Sequence, residues 1–166
     1  TCHGHYSVSF FSKVMSFAKL IIVPSQVIGR HMIERFHVSP ESIRHIPRSV
    51  DLNRFQIQRA DRSGTRQFVV TMVGRLSPIK GQAYFLKAMA KVIRSMPYVK
   101  VRIVGDASPG KDSYKQELIV MTRHLWLSEH VEFLGNRRDV PQILADSDVL
   151  VLASVVPEAF GRVVLE

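Results

Sequence analysis

From residue 68 onward, short apolar runs alternate with segments of helical periodicity, and this alternation limits the possible folds more than any other feature of the sequence. The runs are predicted strands at residues 68–73, 99–104, 131–134 and 149–153, and the segments are predicted helices at residues 81–95, 112–125 and 139–145. Strands that alternate with helices at this spacing favour a parallel sheet with flanking helices, and therefore an α/β fold of the Rossmann-like type. A final helix is predicted to begin near Gly161, and Trp126 is predicted to lie in the core with Leu125 and Leu127.

The first third of the chain continues this pattern less regularly. Residues 20–23 predict a short buried strand, and residues 43–46 predict another. Between them, Ser25 is placed to cap a helix that runs to about Phe36. The polar stretch at residues 56–66 is the best candidate for a linker.

The basic character of the chain admits several partners. Its formal net charge is +9, which suits nucleic acid, an anionic membrane surface or a phosphate-bearing small molecule. The basic residues are scattered rather than collected in runs, so an ordinary solvated surface explains the charge equally well. Aromatic residues make up 8% of the chain and are not interleaved with basic ones, which disfavours a nucleic-acid-binding module. That module is kept as the alternative of a different class.

Compartment and chain ends give further expectations. Cys2 is the only cysteine, so an internal disulfide is excluded and a reducing, cytoplasmic location is expected. The apolar runs, such as those at residues 20–23 and 149–153, are too short to cross a bilayer. No signal peptide is recognised. Because the chain begins without Met and stops in mid-pattern, both ends are expected to be cut.

The loops that follow the predicted strands carry the candidate chemistry. Ligands of parallel sheets bind beyond the carboxyl ends of the strands. After Gly74, the next loop places Arg75 and Lys80 just before a predicted helix. A guanidinium, an ammonium and a helix N-terminus all favour phosphate. On this segment alone, two surface cations around a proline turn explain the pattern as well.

Two acidic residues bracket the start of the last predicted helix. The carboxylates of Glu158 and Glu166 can accept hydrogen bonds from sugar hydroxyls, while the N–H groups of residues 160–162 face a phosphate. Alternatively, Glu158 is a partner of the helix dipole and Glu166 is a solvated helix residue.

Several motifs follow one another in a specific order. They are Gly-Arg-Leu…Lys-Gly at 74–81, Ile-Val-Gly at 103–105, Val-Glu-Phe-Leu-Gly at 131–135, Ser-Asp-Val-Leu-Val-Leu-Ala-Ser at 147–154 and Pro-Glu-Ala-Phe-Gly…Glu at 157–166. In this order they resemble the donor domain of retaining glycosyltransferases of the GT-B fold, the group 1 or family 4 enzymes. Thr-x-His-Gly at 1–4 is similar to a loop of the acceptor domain in that family, and residues 46–55 are similar to the interdomain connection.

The resemblance implies a domain organisation. Residues 1–47 would be the end of the acceptor-side domain, residues 48–66 the linker and residues 67–166 the donor domain, truncated at its C-terminus. Most members of the family have glycine where Ser49 stands, so a positive φ at this position would strain the hinge.

The resemblance also implies residue roles. Arg75 and Lys80 would hold the donor diphosphate, Glu158 would contact the transferred sugar and Glu166 the ribose hydroxyls. His3 would lie near the sugar and the β-phosphate. The implied catalytic set is therefore His3, Glu158, Arg75 and Lys80.

The rest of the implied donor site is formed around the nucleotide base and the last helix. Backbone at Asn136 and Arg137 would meet the base, and the remaining binding residues are Gly74, Phe160, Gly161 and Arg162. No metal and no separate cofactor are expected, because the two cations would offset the charge on the departing diphosphate. The Asp146-Ser147-Asp148 sequence matches a manganese-binding pattern of another glycosyltransferase fold, but a structural role between a helix and a strand is the better interpretation.

The implied function is the transfer of a sugar from a nucleotide-diphosphate sugar to a cell-envelope glycan or lipid-linked acceptor, with retention of anomeric configuration. A nucleotide-sugar epimerase of the same fold is the nearer alternative. The chain alone is expected to be inactive because half of the cleft is missing. As a hypothesis, the basic surface also rests peripherally against anionic lipid at the inner face of the membrane.

Overall fold

The computed structural model describes residues 1–55 and 67–166. The predicted linker at residues 56–66 lies outside the described residues. The chain divides into two compact units, which we call unit 1 and unit 2. Unit 1 comprises Thr1–Val50 and Pro157–Leu165, and unit 2 comprises Asp51–Val156 together with Glu166.

Unit 1 is built around a pair of short parallel strands. Its elements are α1 (Phe10–Lys13), β1 (Ile21–Val23), α2 (Gln26–Phe36) and β2 (Ile43–His45), and β1 pairs with β2. The predicted cap of α2 is confirmed, because the Ser25 hydroxyl accepts a hydrogen bond from the Ile28 N–H at 3.3 Å. Ile28, Met32 and Phe36 recur at helical spacing on α2 and form the buried core of the unit with the two ends of β1.

Unit 2 contains a parallel sheet whose strands do not follow the order of the chain. Its elements are β3 (Phe68–Val73), α3 (Gln82–Ser95), β4 (Val99–Val104), α4 (Ser113–His124), β5 (Val131–Gly135), α5 (Val140–Ala145) and β6 (Val149–Leu150). The sheet order is β5-β4-β3-β6. β4 and the later strand β5 lie on one side of β3, whereas β6 lies on the other side. The strand order therefore reverses at β3, while all four strands stay parallel. The predicted α/β class and parallel sheet are confirmed.

The core of unit 2 lies between the sheet and its helices. Leu86, Met89 and Ile93 form the apolar stripe of α3, and Val101 and Ile103 point from alternate positions of β4 into the same core. This 3.6-residue spacing in the helix and 2-residue spacing in the strand are what the sequence pattern predicted.

Two local predictions are wrong, and the condition for strain at Ser49 is not met. Trp126 is 90% exposed rather than in the core. The chain turns back at Trp126 with a φ of 60°, and the buried position is taken by Leu127, whose N–H donates to the Thr122 carbonyl at 2.9 Å. Instead of a final α-helix, residues 162–164 form a single 3-10 turn closed by hydrogen bonds three residues apart. Ser49 is not strained, because His37 and Trp126 are the described non-glycine residues with positive φ.

In the described part of the chain, no helix combines the length and the apolarity that a membrane span requires.

Candidate functional site

The loops at the carboxyl ends of β3, β4 and β5 are held together by their backbones. The Gly74 N–H donates to the Val104 carbonyl, and the Gly105 N–H donates to the Gly135 carbonyl, both at 2.8 Å. Gly105 has a φ of 125°, and a Cβ added there would lie 2.2 Å from the Gly74 carbonyl oxygen. Close backbone packing therefore requires glycine at position 105.

The peptide that joins Arg75 to Leu76 is hydrogen-bonded at both of its polar groups. Its carbonyl accepts from the Gln82 Nε2 at 2.9 Å, and its N–H donates to the Asp106 carbonyl at 3.0 Å. Leu76 is buried whereas the Arg75 side chain is exposed. The loop thus presents a guanidinium to solvent from a backbone that is anchored on both sides.

Lys80 ends a 3-10 turn that leads into α3. The turn spans Pro78–Lys80, and the Lys80 N–H donates to the Ser77 carbonyl at 2.9 Å. Gly81 follows with a φ of 78° and is the N-cap of α3, where no side chain caps the helix. The first N–H groups of an α-helix have no partner inside the helix and carry a partial positive charge. Arg75, Lys80 and this helix start therefore lie on one short loop that suits an anion.

This loop lies where the strand order reverses. The Val155 N–H, which follows β6, donates to the Ile79 carbonyl at 3.0 Å. A Cβ on Gly81 would lie 1.9 Å from the Ala153 carbonyl oxygen, so the backbones that follow β3 and β6 are in close contact here. Crevices at such a switch point are the usual ligand sites of open α/β sheets.

Two buried side-chain atoms of this loop have no hydrogen-bond partner. Among the described residues, Ser77 Oγ and Gln82 Oε1 are the buried side-chain polar atoms without one. An unsatisfied buried acceptor costs about 1–3 kcal/mol, so each requires an explanation. Neither residue was identified from the sequence, because Gln82 falls inside a helical segment and Ser77 belongs to a proline turn.

Asp106 is a further charged residue of this edge that sequence reasoning missed, although it directly follows the Ile-Val-Gly motif. Its carboxylate lies 2.9 Å from Lys115 Nζ and accepts from the Ala107 N–H at 2.8 Å. The hydrogen bond from Lys115 and the one from Ala107 lower the pKa of Asp106. A pocket of about 510 Å³ extends from Arg75 across to the start of α4.

The residues predicted to meet a nucleotide base follow β5. Asn136 and Arg137 are exposed. The Arg137 guanidinium donates to both carboxylate oxygens of Asp139, at 2.8 and 2.6 Å. This hydrogen-bonded pair raises the pKa of Arg137 and lowers that of Asp139.

The Asp146-Ser147-Asp148 sequence has structural contacts. The Asp148 carboxylate accepts from the Val69 N–H at 2.8 Å, and the Ser147 hydroxyl lies 2.6 Å from that of Thr71. These side chains therefore tie the start of β6 to β3. In the described residues, no group of three or more histidine, cysteine or acidic residues is placed to hold a metal ion.

The remaining predicted residues are divided between the units. His3 is exposed and follows Cys2, whose N–H donates to the Ile22 carbonyl at 2.9 Å. Glu158 is half-buried in the segment Pro157–Leu165 of unit 1, as are Phe160 and Gly161, whereas Arg162 is exposed. Glu166 is half-buried and is grouped with unit 2. The structure thus brings Gly74, Arg75 and Lys80 together in unit 2, and the participation of His3, Glu158 and Glu166 in the same site stays a prediction.

Comparison with known proteins gives concordant results. The profile of the family "Glycosyl transferases group 1" matches residues 53–166. The chain is 36% identical, over 136 residues and 74% of its length, to the UDP-Gal:alpha-D-GlcNAc-diphosphoundecaprenol alpha-1,3-galactosyltransferase of Escherichia coli, of which it covers 33%. It is 27% identical, over 88% of its length, to the D-inositol 3-phosphate glycosyltransferase of Segniliparus rotundus, of which it covers 34%. The chain thus spans about a third of the length of these curated relatives.

A solved structure extends the similarity to nearly the whole chain. HepE of Anabaena, crystallised with UDP and glucose, superposes with a TM-score of 0.84 and 32% identity. The superposition covers 99% of this chain and 48% of HepE.

Proposed function

Because this chain belongs to the group 1 glycosyl transferases, we propose that it provides the nucleotide-sugar-binding part of an enzyme that transfers a sugar to an acceptor. The observation that carries the proposal is the Arg75–Gly81 loop. This loop carries an arginine whose backbone carbonyl is hydrogen-bonded, a lysine and a helix start without a side-chain cap. It lies where the strand order of the parallel sheet reverses. Support comes from HepE, which has the same fold and was crystallised with UDP and glucose.

The proposed chemistry is electrostatic. When the bond between the sugar and the β-phosphate breaks, negative charge builds up on the departing diphosphate. Arg75 offers paired N–H donors for phosphate oxygens, and Lys80 offers a compact positive charge. Placed beforehand against the diphosphate, these groups stabilise the transition state more than the ground state.

The finer assignments extend from this anchor. We assign the sugar contact to Glu158, the ribose hydroxyls to Glu166 and the base to the backbone at Asn136 and Arg137. Phe160, Gly161 and Arg162 would face the phosphates, and His3 the sugar. Retention of configuration, with assistance by the leaving phosphate, belongs to the same proposal, and NMR of the anomeric proton of the product decides it.

The proposed acceptor is a glycan or a lipid-linked sugar. The Escherichia coli relative is named for a diphosphoundecaprenol-linked acceptor, and the Segniliparus relative is named for an inositol phosphate. The high positive charge of this chain is compatible with peripheral contact with anionic lipid during such a reaction.

Calorimetric titration with UDP, GDP and ADP tests the proposal, with Lys80→Ala as the variant. Loss of one charge-assisted hydrogen bond, about 1.5–3 kcal/mol, would weaken binding by about 10- to 100-fold. Lys87→Ala is the matched control, because Lys87 is an exposed lysine on α3 and its removal changes the net charge equally. Equal affinity of the two variants, or no binding of any nucleotide by the unsubstituted chain, would contradict the proposal.

A further inference from the structure

Gln82 buries a side-chain amide of which only one end has a hydrogen-bond partner. It is the first residue of α3 and is 0% exposed. One end of its amide is used, since Nε2 donates to the Arg75 carbonyl. The other end, Oε1, is buried without a partner. A methionine or leucine would fill the same space and would avoid the unpaired oxygen, but it would leave the Arg75 carbonyl without this donor.

The paired end of this amide fixes the peptide that carries Arg75. That peptide has one acceptor and one donor, and each has a partner from a different part of unit 2. Gln82 holds the Arg75 carbonyl at 2.9 Å, and the Asp106 carbonyl holds the Leu76 N–H at 3.0 Å. With both groups engaged, rotation of the peptide plane would break these hydrogen bonds, so the direction in which the Arg75 side chain leaves the backbone is restrained.

The burial of the neighbours strengthens this restraint. Leu76 is 4% exposed, which anchors the residue after the fixed peptide in the core. On the other side of Arg75, the Gly74 N–H donates a hydrogen bond to the Val104 carbonyl. Arg75 is the exposed residue between these two anchors. An exposed arginine loses rotamer entropy when it binds a ligand, and a backbone that is already fixed adds no further ordering cost.

We propose that Gln82 is a positioning residue, whose buried amide holds the Arg75 carbonyl and thereby orients the guanidinium toward the diphosphate of the donor. The inference rests on the proposed function, since it assigns Arg75 to that ligand. The inference goes beyond the proposed function, because it names a buried residue that would not contact the diphosphate and would still influence the affinity for it.

The test compares Gln82→Met with Gln116→Met. Methionine matches glutamine closely in length and volume but has no N–H donor. Gln116 is an exposed glutamine on α4, and its substitution controls for the chemistry of the change. Gln82→Leu is the second variant at the site, because it is also apolar and has no hydrogen-bond donor, and it serves if Gln82→Met does not fold.

Two readouts are measured on the same protein samples. Hydrogen–deuterium exchange reports on residues 75–81, with the core of α3 at residues 86–93 as internal reference. Calorimetry reports the affinity for UDP. In Gln82→Met we expect faster exchange in residues 75–81, unchanged exchange in α3 and binding about three- to tenfold weaker, the order that one net hydrogen bond contributes. Gln116→Met is expected to match the unsubstituted protein in both readouts.

The other outcomes separate the inference from the proposed function. Unchanged exchange in residues 75–81 would overturn the restraint. Faster exchange throughout α3 would make Gln82 an ordinary stabilising residue, and faster loop exchange with unaltered affinity would remove its positioning role. If the unsubstituted chain binds no nucleotide while the exchange results hold, the proposed function fails and the fixed Arg75 peptide stands.

Discussion

Gly81 allows a sharp test of how the candidate site is built, because the chain offers a matched glycine elsewhere in unit 2. Gly81 has a φ of 78° and Gly110 a φ of 73°, so both occupy the left-handed region that favours glycine. They differ in their surroundings. A Cβ at Gly81 would lie 1.9 Å from the Ala153 carbonyl oxygen, whereas one at Gly110 would meet nothing within 4 Å. Alanine at each position therefore separates backbone strain from steric conflict.

The expected magnitudes follow from these contacts. Left-handed backbone costs a non-glycine residue about 1–2 kcal/mol, and the loss of unfolded-state entropy returns about 0.4–1 kcal/mol. Gly110→Ala should therefore lower the free energy of unfolding by about 1 kcal/mol or less. In Gly81→Ala, the distance to the Ala153 oxygen must increase from 1.9 Å to at least 3.0 Å. That displacement would break the 3.0 Å bond from the Val155 N–H to the Ile79 carbonyl, so the total loss should reach about 4 kcal/mol or more.

Urea unfolding followed by circular dichroism measures both losses. With about 2–4 °C of melting temperature per kcal/mol for a chain of this size, thermal unfolding should shift by about 10 °C or more for Gly81→Ala and by only a few degrees for Gly110→Ala. Lys80 precedes Gly81, so nucleotide affinity should fall in the Gly81 variant. Losses of unfolding free energy that agree within about 1 kcal/mol would refute the packing of this loop against the segment after β6.

Three further outcomes follow from single contacts. Trp126→Gly should raise the free energy of unfolding by about 1 kcal/mol, because glycine removes the strain of a positive φ at a helix end. Little packing is lost in this variant, since the side chain is 90% exposed. Trp126→Ala keeps the strain, so an equal gain in that variant would argue against this reason. Burial raises the pKa of the Cys2 thiol, so a thiol reagent at neutral pH should label the folded chain far more slowly than the chain in urea, and equal rates would contradict the burial. Hydrogen bonding to Lys115 and to the Ala107 N–H lowers the pKa of Asp106 in the folded state. The ionised Asp106 carboxylate therefore stabilises the folded chain at pH values above its pKa in the unfolded chain, and this stabilisation is lost as the pH falls through its pKa in the folded chain. The difference in unfolding free energy between the unsubstituted chain and Asp106→Asn should therefore shrink in acid, and a difference that does not change with pH would exclude this linkage.

The main elements could be predicted because their signals are local. β3 is an almost entirely apolar run, β4 alternates apolar residues with Lys100 and Arg102, and both end at glycine. α3 repeats its apolar residues at helical spacing, and all three elements lie within a residue of their predicted bounds. Trp126 was misplaced because hydrophobicity alone was used. Its position is decided by the end of α4, where the Leu127 N–H bonds to the Thr122 carbonyl and turns the intervening side chain outward. A helix end of this kind usually has glycine at that position, and tryptophan gives no sign of it.

The candidate site was predictable only in part, for a reason that the Arg75 peptide illustrates. Position and residue type revealed the loop itself, because Gly74, Arg75 and Lys80 follow a strand and precede a helix. The restraint on Arg75 could not be found in this way. Of the groups that form it, the Asp106 and Arg75 carbonyls and the Leu76 N–H belong to the backbone, and almost every residue carries the same groups. A sequence pattern can therefore show which cations reach a ligand edge, whereas the partner that aims a cation becomes visible only when the folded chain brings residues 75, 82 and 106 together.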